Sequence, residues 1–152
     1  MGLMVDLQPA FGRALVVGGG TVAARKVRAL IDAAFAVTVV APEVQPAIES
    51  LPAVAVRKRM FLPADLDGHA LVFACTNSRD LNRVVGELAR AAGIPVNVAD
   101  RQEESSFFST ATVQGPDWRV GVSTGGRDPG LAKRLRKLLA EHLDAETPPG
   151  ED

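Results

Sequence analysis

The sequence predicts an α/β fold: a Rossmann-like, doubly wound parallel sheet followed by a small β-hairpin plus helix. Three observations carry that prediction. Short and almost wholly apolar runs alternate with segments of helical periodicity, as strands buried on both faces of a parallel sheet require. The first of these runs ends in Gly18-Gly19-Gly20 and passes directly into a helical pattern. After Asp100 the style changes to two strand-like runs about a turn, then one capped helix.

Taken in order, Ala14–Val17 (ALVV) is a β-branched run, and beyond the glycines Val22, Ala23, Val27, Leu30, Ile31 and Ala34 recur at helical spacing. Residues 36–41 (AVTVVA) form a second apolar strand closed by Pro42, and residues 54–56 a third. Residues 70–75 (ALVFAC) form a fourth and residues 95–99 (PVNVA) a fifth. Between the last two, Leu81, Val84, Val85, Leu88 and Ala92 mark a helix that Gly93 stops. Right-handed crossovers then place helices on both faces of the sheet.

Residues 107–114 (FFSTATVQ) and 118–123 (WRVGVS), joined by Gly115-Pro116-Asp117, read as a hairpin. The last helix has Asp128 as N-cap and Pro129 at its first position, with Leu131, Leu135, Leu138, Leu139 and His142 on one stripe. One hairpin and one helix cannot bury a core of their own, so Phe107, Phe108, Val113, Trp118, Val120, Val122 and the leucine stripe need either the sheet domain or a second subunit to cover them, and a symmetric partner copy is the economical solution. The expected organisation is a dinucleotide-binding domain over residues 1–104, a dimerisation region over 105–143 and an acidic flexible tail over 144–152.

Composition narrows the function. The 152 residues are 47% hydrophobic and 23% charged, with 17 basic and 18 acidic side chains, which suits a folded globular chain and excludes a disordered or collagen-like one. No apolar stretch approaches the roughly 18 residues of a membrane span. Residues 1–6 carry neither a basic leader nor a lipidation signal, so a cytoplasmic location is expected. Cys75 is the one cysteine and the two histidines are isolated, so neither an internal disulfide nor a protein-held metal is expected. Four of the acids lie in the tail, leaving residues 1–143 with 17 bases against 14 acids, a net +3. That mild cationic balance suits an anionic small molecule better than a nucleic acid.

The chemistry-bearing motif is Gly18-x-Gly20-x-x-Ala23 between a strand and a helix. Gly18 makes the turn, Gly20 lets backbone approach a pyrophosphate, Ala23 permits close helix packing, and the helix start at Thr21-Val22 offers amide donors. Gly19 completes the turn. A glycine turn that binds nothing is the competing reading. The acid that usually ends the second strand and holds a ribose is replaced by Val40-Ala41-Pro42, with Glu43 beyond the proline, and no arginine stands in for it to take a 2′-phosphate, so these residues leave the choice between NAD and NADP open.

Ligands of such sheets bind outside the carboxyl ends of the strands. Pro42, Thr76, Asn77 and Asp100 fall there, and Asn97 lies within the fifth strand. Asp100 suits a general base beside a nicotinamide; a turn or capping aspartate would fill the position equally well. Ser123-Thr124-Gly125-Gly126 suits an anion-binding turn, and a glycine turn before a capped helix explains it as well. His69 is expected in a loop, His142 in packing, Cys75 in the core, and Arg57-Lys58-Arg59 on a solvated face.

Several segments together carry a more specific likeness: VDLQ at residues 5–8, ALVVGGGTVAARKVRAL at 14–30, VTVVAPE at 37–43, LVFACTN at 71–77, Leu81-Asn82, PVNVAD at 95–100 and VSTGGRDPGLAKRLR at 122–136. Over about residues 5–140 the chain resembles the sirohaem synthase dehydrogenase module, the precorrin-2 dehydrogenase family, some members of which also act as sirohydrochlorin ferrochelatases. The resemblance implies that NAD accepts hydride from precorrin-2, an anionic tetrapyrrole, to give sirohydrochlorin. It assigns the catalytic aspartate to Asp100, with any inserted iron held by the macrocycle. It also implies substrate contacts at Asn97 and the Ser123, Thr124, Gly125, Gly126 loop, and a homodimer built through the segment beyond Asp100. Family members usually carry proline where Thr110 stands, and many continue beyond the position of Leu143 into a helical domain that helps enclose the tetrapyrrole.

Two other classes compete: a dinucleotide-binding regulatory domain of the kind that gates a transporter, and a catalytically silent tetrapyrrole-binding module. The missing acid after the second strand counts against the first, and Asp100 against the second.

Overall fold

The computed structural model describes residues 2–146, and side chains through residue 143. Most of the expected acidic tail therefore lies outside the described residues. The chain forms two compact units: Asp6–Phe107, and residues from Phe108 onward together with those before Asp6.

The first unit is a five-stranded, all-parallel sheet in the order β3-β2-β1-β4-β5, formed by β1 (Ala14–Val17), β2 (Val37–Val40), β3 (Val54–Arg57), β4 (Leu71–Ala74) and β5 (Val96–Val98). In register, Val17 stands beside Val40 on one side and Ala74 on the other, so three strands end at one level. The side-chain period of two sorts the strands onto two cores. Ala14, Val16, Val37, Val39, Leu71 and Phe73 face Ala23, Val27 and Leu30 of helix α1 (Thr21–Asp32) and Ile48 of the single-turn α2 (Pro46–Glu49). Leu15, Val17, Val40, Val72, Ala74, Val96 and Val98 face Val85 and Ala89 of α3 (Arg79–Ala91). Leu15, Val16, Val39 and Val72 have no solvent-exposed surface, and each such side chain contributes about 1.5–3 kcal/mol through burial.

The helices end where backbone chemistry stops them. After α1, Ala34 takes a left-handed φ of 61° while the amide of Phe35 reaches back to Leu30 O at 2.9 Å, a Schellman closure. Ala34, which continues the helical spacing in the sequence, is thus the stop residue. Gly93, with φ 71°, serves α3 in the same way, and the Ile94 amide bonds Ala89 O at 2.9 Å. Ser78 caps the start of α3 by accepting from the Leu81 amide.

The second unit holds an antiparallel hairpin, β6 (Ala111–Gln114) and β7 (Arg119–Val122), and helix α4 (Pro129–Glu146). Both strands are shorter than their apolar runs. Asp128 caps α4, its Oδ1 accepting from the Leu131 amide at 2.7 Å. Among the described side chains of the helix Ala132 is the buried one, whereas Leu131, Leu135 and Leu138 are 37%, 39% and 61% exposed. His142 is exposed too, whereas Leu139 of the same stripe is half-buried, a correction to the packing role expected of His142.

Candidate active site

The carboxyl ends of β1, β4 and β5 bring the candidate residues of the first unit together. Gly18 has φ 124°, and a Cβ there would lie 2.4 Å from the carbonyl oxygen of Cys75. A Cβ on Gly19 would lie 2.1 Å from Glu43 O. Both glycines are therefore demanded by the fold itself, which draws the turn against the segments leaving β2 and β4. Gly20 differs: its backbone is extended at φ −87°, and a Cβ there would meet nothing within 4 Å. No protein atom requires that glycine. The space it leaves open sits over the first turn of α1, where the amides of Thr21, Val22 and Ala23 precede the first intrahelical bond, from Ala24 to Gly20 O.

The loop after β2 is fastened to this turn by Gln45. Its amide donates to Gly19 O at 2.9 Å and its side chain to Thr21 Oγ1 at 3.1 Å. Pro42 is exposed beside it. Gln45 escapes the sequence reading because nothing in its spacing sets it apart.

Beyond β4, Asn82 of α3 is 1% exposed and joins two strand ends. Its Oδ1 accepts from the Thr76 amide at 2.9 Å and from Thr76 Oγ1 at 2.7 Å. Its Nδ2 donates to Thr76 O at 3.0 Å and to Asp100 Oδ1 at 3.1 Å. Arg79 Nη1 adds a charged donor to Asp100 Oδ1 at 3.3 Å, and Nη2 pairs with Glu104, which lies in the short 3-10 turn Gln102–Glu104. Asp100 remains 38% exposed. Asn77 is exposed next to Thr76.

Two neighbours have shifted proton affinities. Burial pushes the Cys75 thiol up to about 11, against the opposing pull of Lys26, so it stays protonated and inert at neutral pH. Burial holds the Lys26 ammonium below its ordinary value, and that group lies 5.6 Å from the centroid of the Phe73 ring.

Other candidate residues carry hydrogen bonds within the fold. Asn97 is 6% exposed and its Nδ2 donates to Phe107 O at 3.0 Å. In the second unit, Thr124 Oγ1 exchanges hydrogen bonds with the backbone of Asp128, Ser123 Oγ accepts from the Gly125 amide, and Gly125 and Gly126 take φ of 62° and 77°. The Arg57–Arg59 run is not simply solvated. Arg57 and Arg59 hold the buried Asp65 at 2.8 and 2.6 Å, while Lys58 pairs with Glu49. His69 is buried, with Nε2 3.0 Å from Thr38 Oγ1 near the amino ends of the strands, far from the chemistry at their carboxyl ends.

A family model described as putative NAD(P)-binding matches residues 3–111. The chain belongs to this NAD(P)-binding family. It is 41% identical to a siroheme synthase of Thioalkalivibrio sulfidiphilus over 149 residues, covering 93% of this chain and 30% of that protein. It is 45% identical to a siroheme synthase of Methylobacillus flagellatus over 134 residues, covering 86% and 29%. The chain thus spans about a third of the length of these curated relatives. A solved structure described as "SirC, precorrin-2 dehydrogenase" superposes with a TM-score of 0.74 at 29% identity, over 93% of this chain and 70% of the other. The residues present fit the NAD(P) of the family: the open position at Gly20 and the amides that open α1 form a cradle that a single Cβ would obstruct.

Proposed function

We propose that this chain is a cytoplasmic, homodimeric NAD-dependent dehydrogenase that oxidises precorrin-2 to sirohydrochlorin in sirohaem biosynthesis. The observation that carries the reading is Asp100, exposed at the end of β5 and tied through Asn82 to Thr76, whose amide lies against the glycine turn. A carboxylate beside a dinucleotide cradle is what hydride abstraction coupled to proton loss requires. The similarity to siroheme synthases and to a precorrin-2 dehydrogenase supports the substrate.

When bound, NAD supplies the hydride acceptor. Gly18, Gly19 and Gly20 keep the turn free of side chains, and the amides of Thr21, Val22 and Ala23 would hold the pyrophosphate. Pro42 would stand toward the ribose, where an acid usually ends the second strand. Thr76 and Asn77 would border the nicotinamide. As the tetrapyrrole carbon gives up a hydride, the Asp100 carboxylate accepts the proton lost from the substrate, so two electrons and two hydrogens leave together. In the second unit, Ser123, Thr124, Gly125 and Gly126 are assigned to substrate carboxylates, residues 105–143 to dimerisation, and residues 1–104 to NAD binding. The exposure of Leu131, Leu135 and Leu138 supports a partner copy.

The test is anaerobic incubation with precorrin-2 and NAD. Stoichiometric NADH and sirohydrochlorin are expected; tight NAD binding without NADH formation in the presence of precorrin-2 would favour the silent module instead.

A further inference from the structure

We infer that Asn82 is the positioning residue of the acid–base carboxylate, holding Asp100 with Oδ1 turned toward the fold and Oδ2 left for the substrate proton. The inference rests on the reading of Asp100 as the acid–base group.

The orientation of the Asn82 amide follows from its neighbours. The Thr76 amide can only donate and the Thr76 carbonyl can only accept, so Oδ1 must face the first and Nδ2 the second. The second hydrogen of Nδ2 then points at Asp100 Oδ1. Thr76 Oγ1 lies 2.7 Å from Asn82 Oδ1 and 3.0 Å from Ser78 O, so its one hydrogen serves one of the two acceptors, and the orientation of the amide is set by the Thr76 backbone. At 1% exposure it has no water to compete with these bonds.

Asp100 Oδ1 thereby receives Asn82 at 3.1 Å and Arg79 at 3.3 Å, whereas Oδ2 has one long contact, 3.5 Å from Arg79. The less encumbered oxygen is the better proton acceptor. Because the same amide holds Thr76, one side chain fixes the carboxylate relative to the β4 end that borders the glycine turn. Catalysis needs that relation to within a fraction of an ångström. Arg79 is 35% exposed and divides its guanidinium between Asp100 and Glu104, so it supplies charge with less constraint.

The test compares Asn82→Ala and Asn82→Asp with wild type, after circular dichroism and NAD titration have established folded, cofactor-competent protein. Asn82→Ala should lower kcat by about 10- to 100-fold with KM for NAD within about twofold. Asn82→Asp puts a second carboxylate beside Asp100, within a field already set by Arg79 and Glu104 and beside the neutral Cys75 thiol. The two share a proton, so the acid limb of the kcat profile should move to higher pH by on the order of one unit. A purely structural Asn82 would lower the melting temperature and leave both kcat per folded site and the pH limb unchanged, which overturns the inference.

A second measurement uses the intact protein and needs no Asn82 variant. The side-chain amide resonances of Asn82 should titrate with the midpoint of the acid limb and lose that titration in Asp100→Asn; resonances flat across the limb overturn the inference. Asp100→Ala separates the two levels. If it turns over normally, the parent reading fails; if it is inactive while both Asn82 variants match wild type, only the positioning role fails.

Discussion

Gly20→Asp should move stability and cofactor affinity in opposite directions. The backbone at Gly20 is already extended, its Cβ would enter open space, and the position is the N-cap of α1. Aspartate is a favoured N-cap and its charge suits a helix N-terminus, so stability should rise by about 0.3–1 kcal/mol. The same carboxylate would stand where a pyrophosphate belongs. Two unit charges about 4 Å apart at an effective dielectric of about 20 repel by about 4 kcal/mol. With half of that lost to screening, affinity still falls more than tenfold at about 1.4 kcal/mol per decade. Calorimetric titration with NAD, paired with thermal melts, reads both quantities. Gly18→Ala is the contrasting control: its φ of 124° and the Cys75 carbonyl at 2.4 Å should destabilise the fold by about 1–3 kcal/mol from backbone strain alone. A folded Gly20→Asp protein that binds NAD as wild type does would remove the cradle from the α1 start.

Asp65→Asn should cost about 1–3 kcal/mol, because it removes charged hydrogen bonds from a carboxylate that is 2% exposed. The hydrogen bond from Arg59 chiefly, with those from the Leu62 amide and Arg57, outweighs burial and holds that carboxyl well below the usual range. Its contribution is therefore full above the unfolded value near about 3.9 and is lost as pH falls toward the folded one; urea unfolding of the variant should lack that acid-side loss, and identical curves would refute the assignment. Leu135→Asp combined with Leu138→Asp should turn a dimer into a folded monomer in sedimentation, whereas a wild type monomeric at high micromolar concentration would rule out the partner copy.

The sheet was legible because β-branched runs buried on both faces leave a continuous apolar signature, and the glycine turn because Gly18 and Gly19 are sterically compelled. The hairpin strands begin later than their apolar run suggests since Phe107 is spent elsewhere. Its carbonyl accepts from Asn97, and its ring meets Phe73 edge-on at 5.3 Å. Helix α2 is a single turn, too short for a periodic signal. Asn82 and Asp100 stand 18 residues apart in the chain, and an isolated asparagine on a helix carries no mark of a partner across a sheet end. The arginines at 57 and 59 looked solvated because the acid that binds them, Asp65, lies beyond a loop and becomes buried only on folding.

The central claim is that Asp100 moves the substrate proton while the glycine turn holds the cofactor. Anaerobic turnover of precorrin-2 by Asp100→Ala, measured beside its NAD affinity, tests this most directly. The account predicts a loss in kcat of about 10²- to 10⁴-fold with NAD affinity within about twofold of wild type; turnover at the wild-type rate in the folded variant would contradict it.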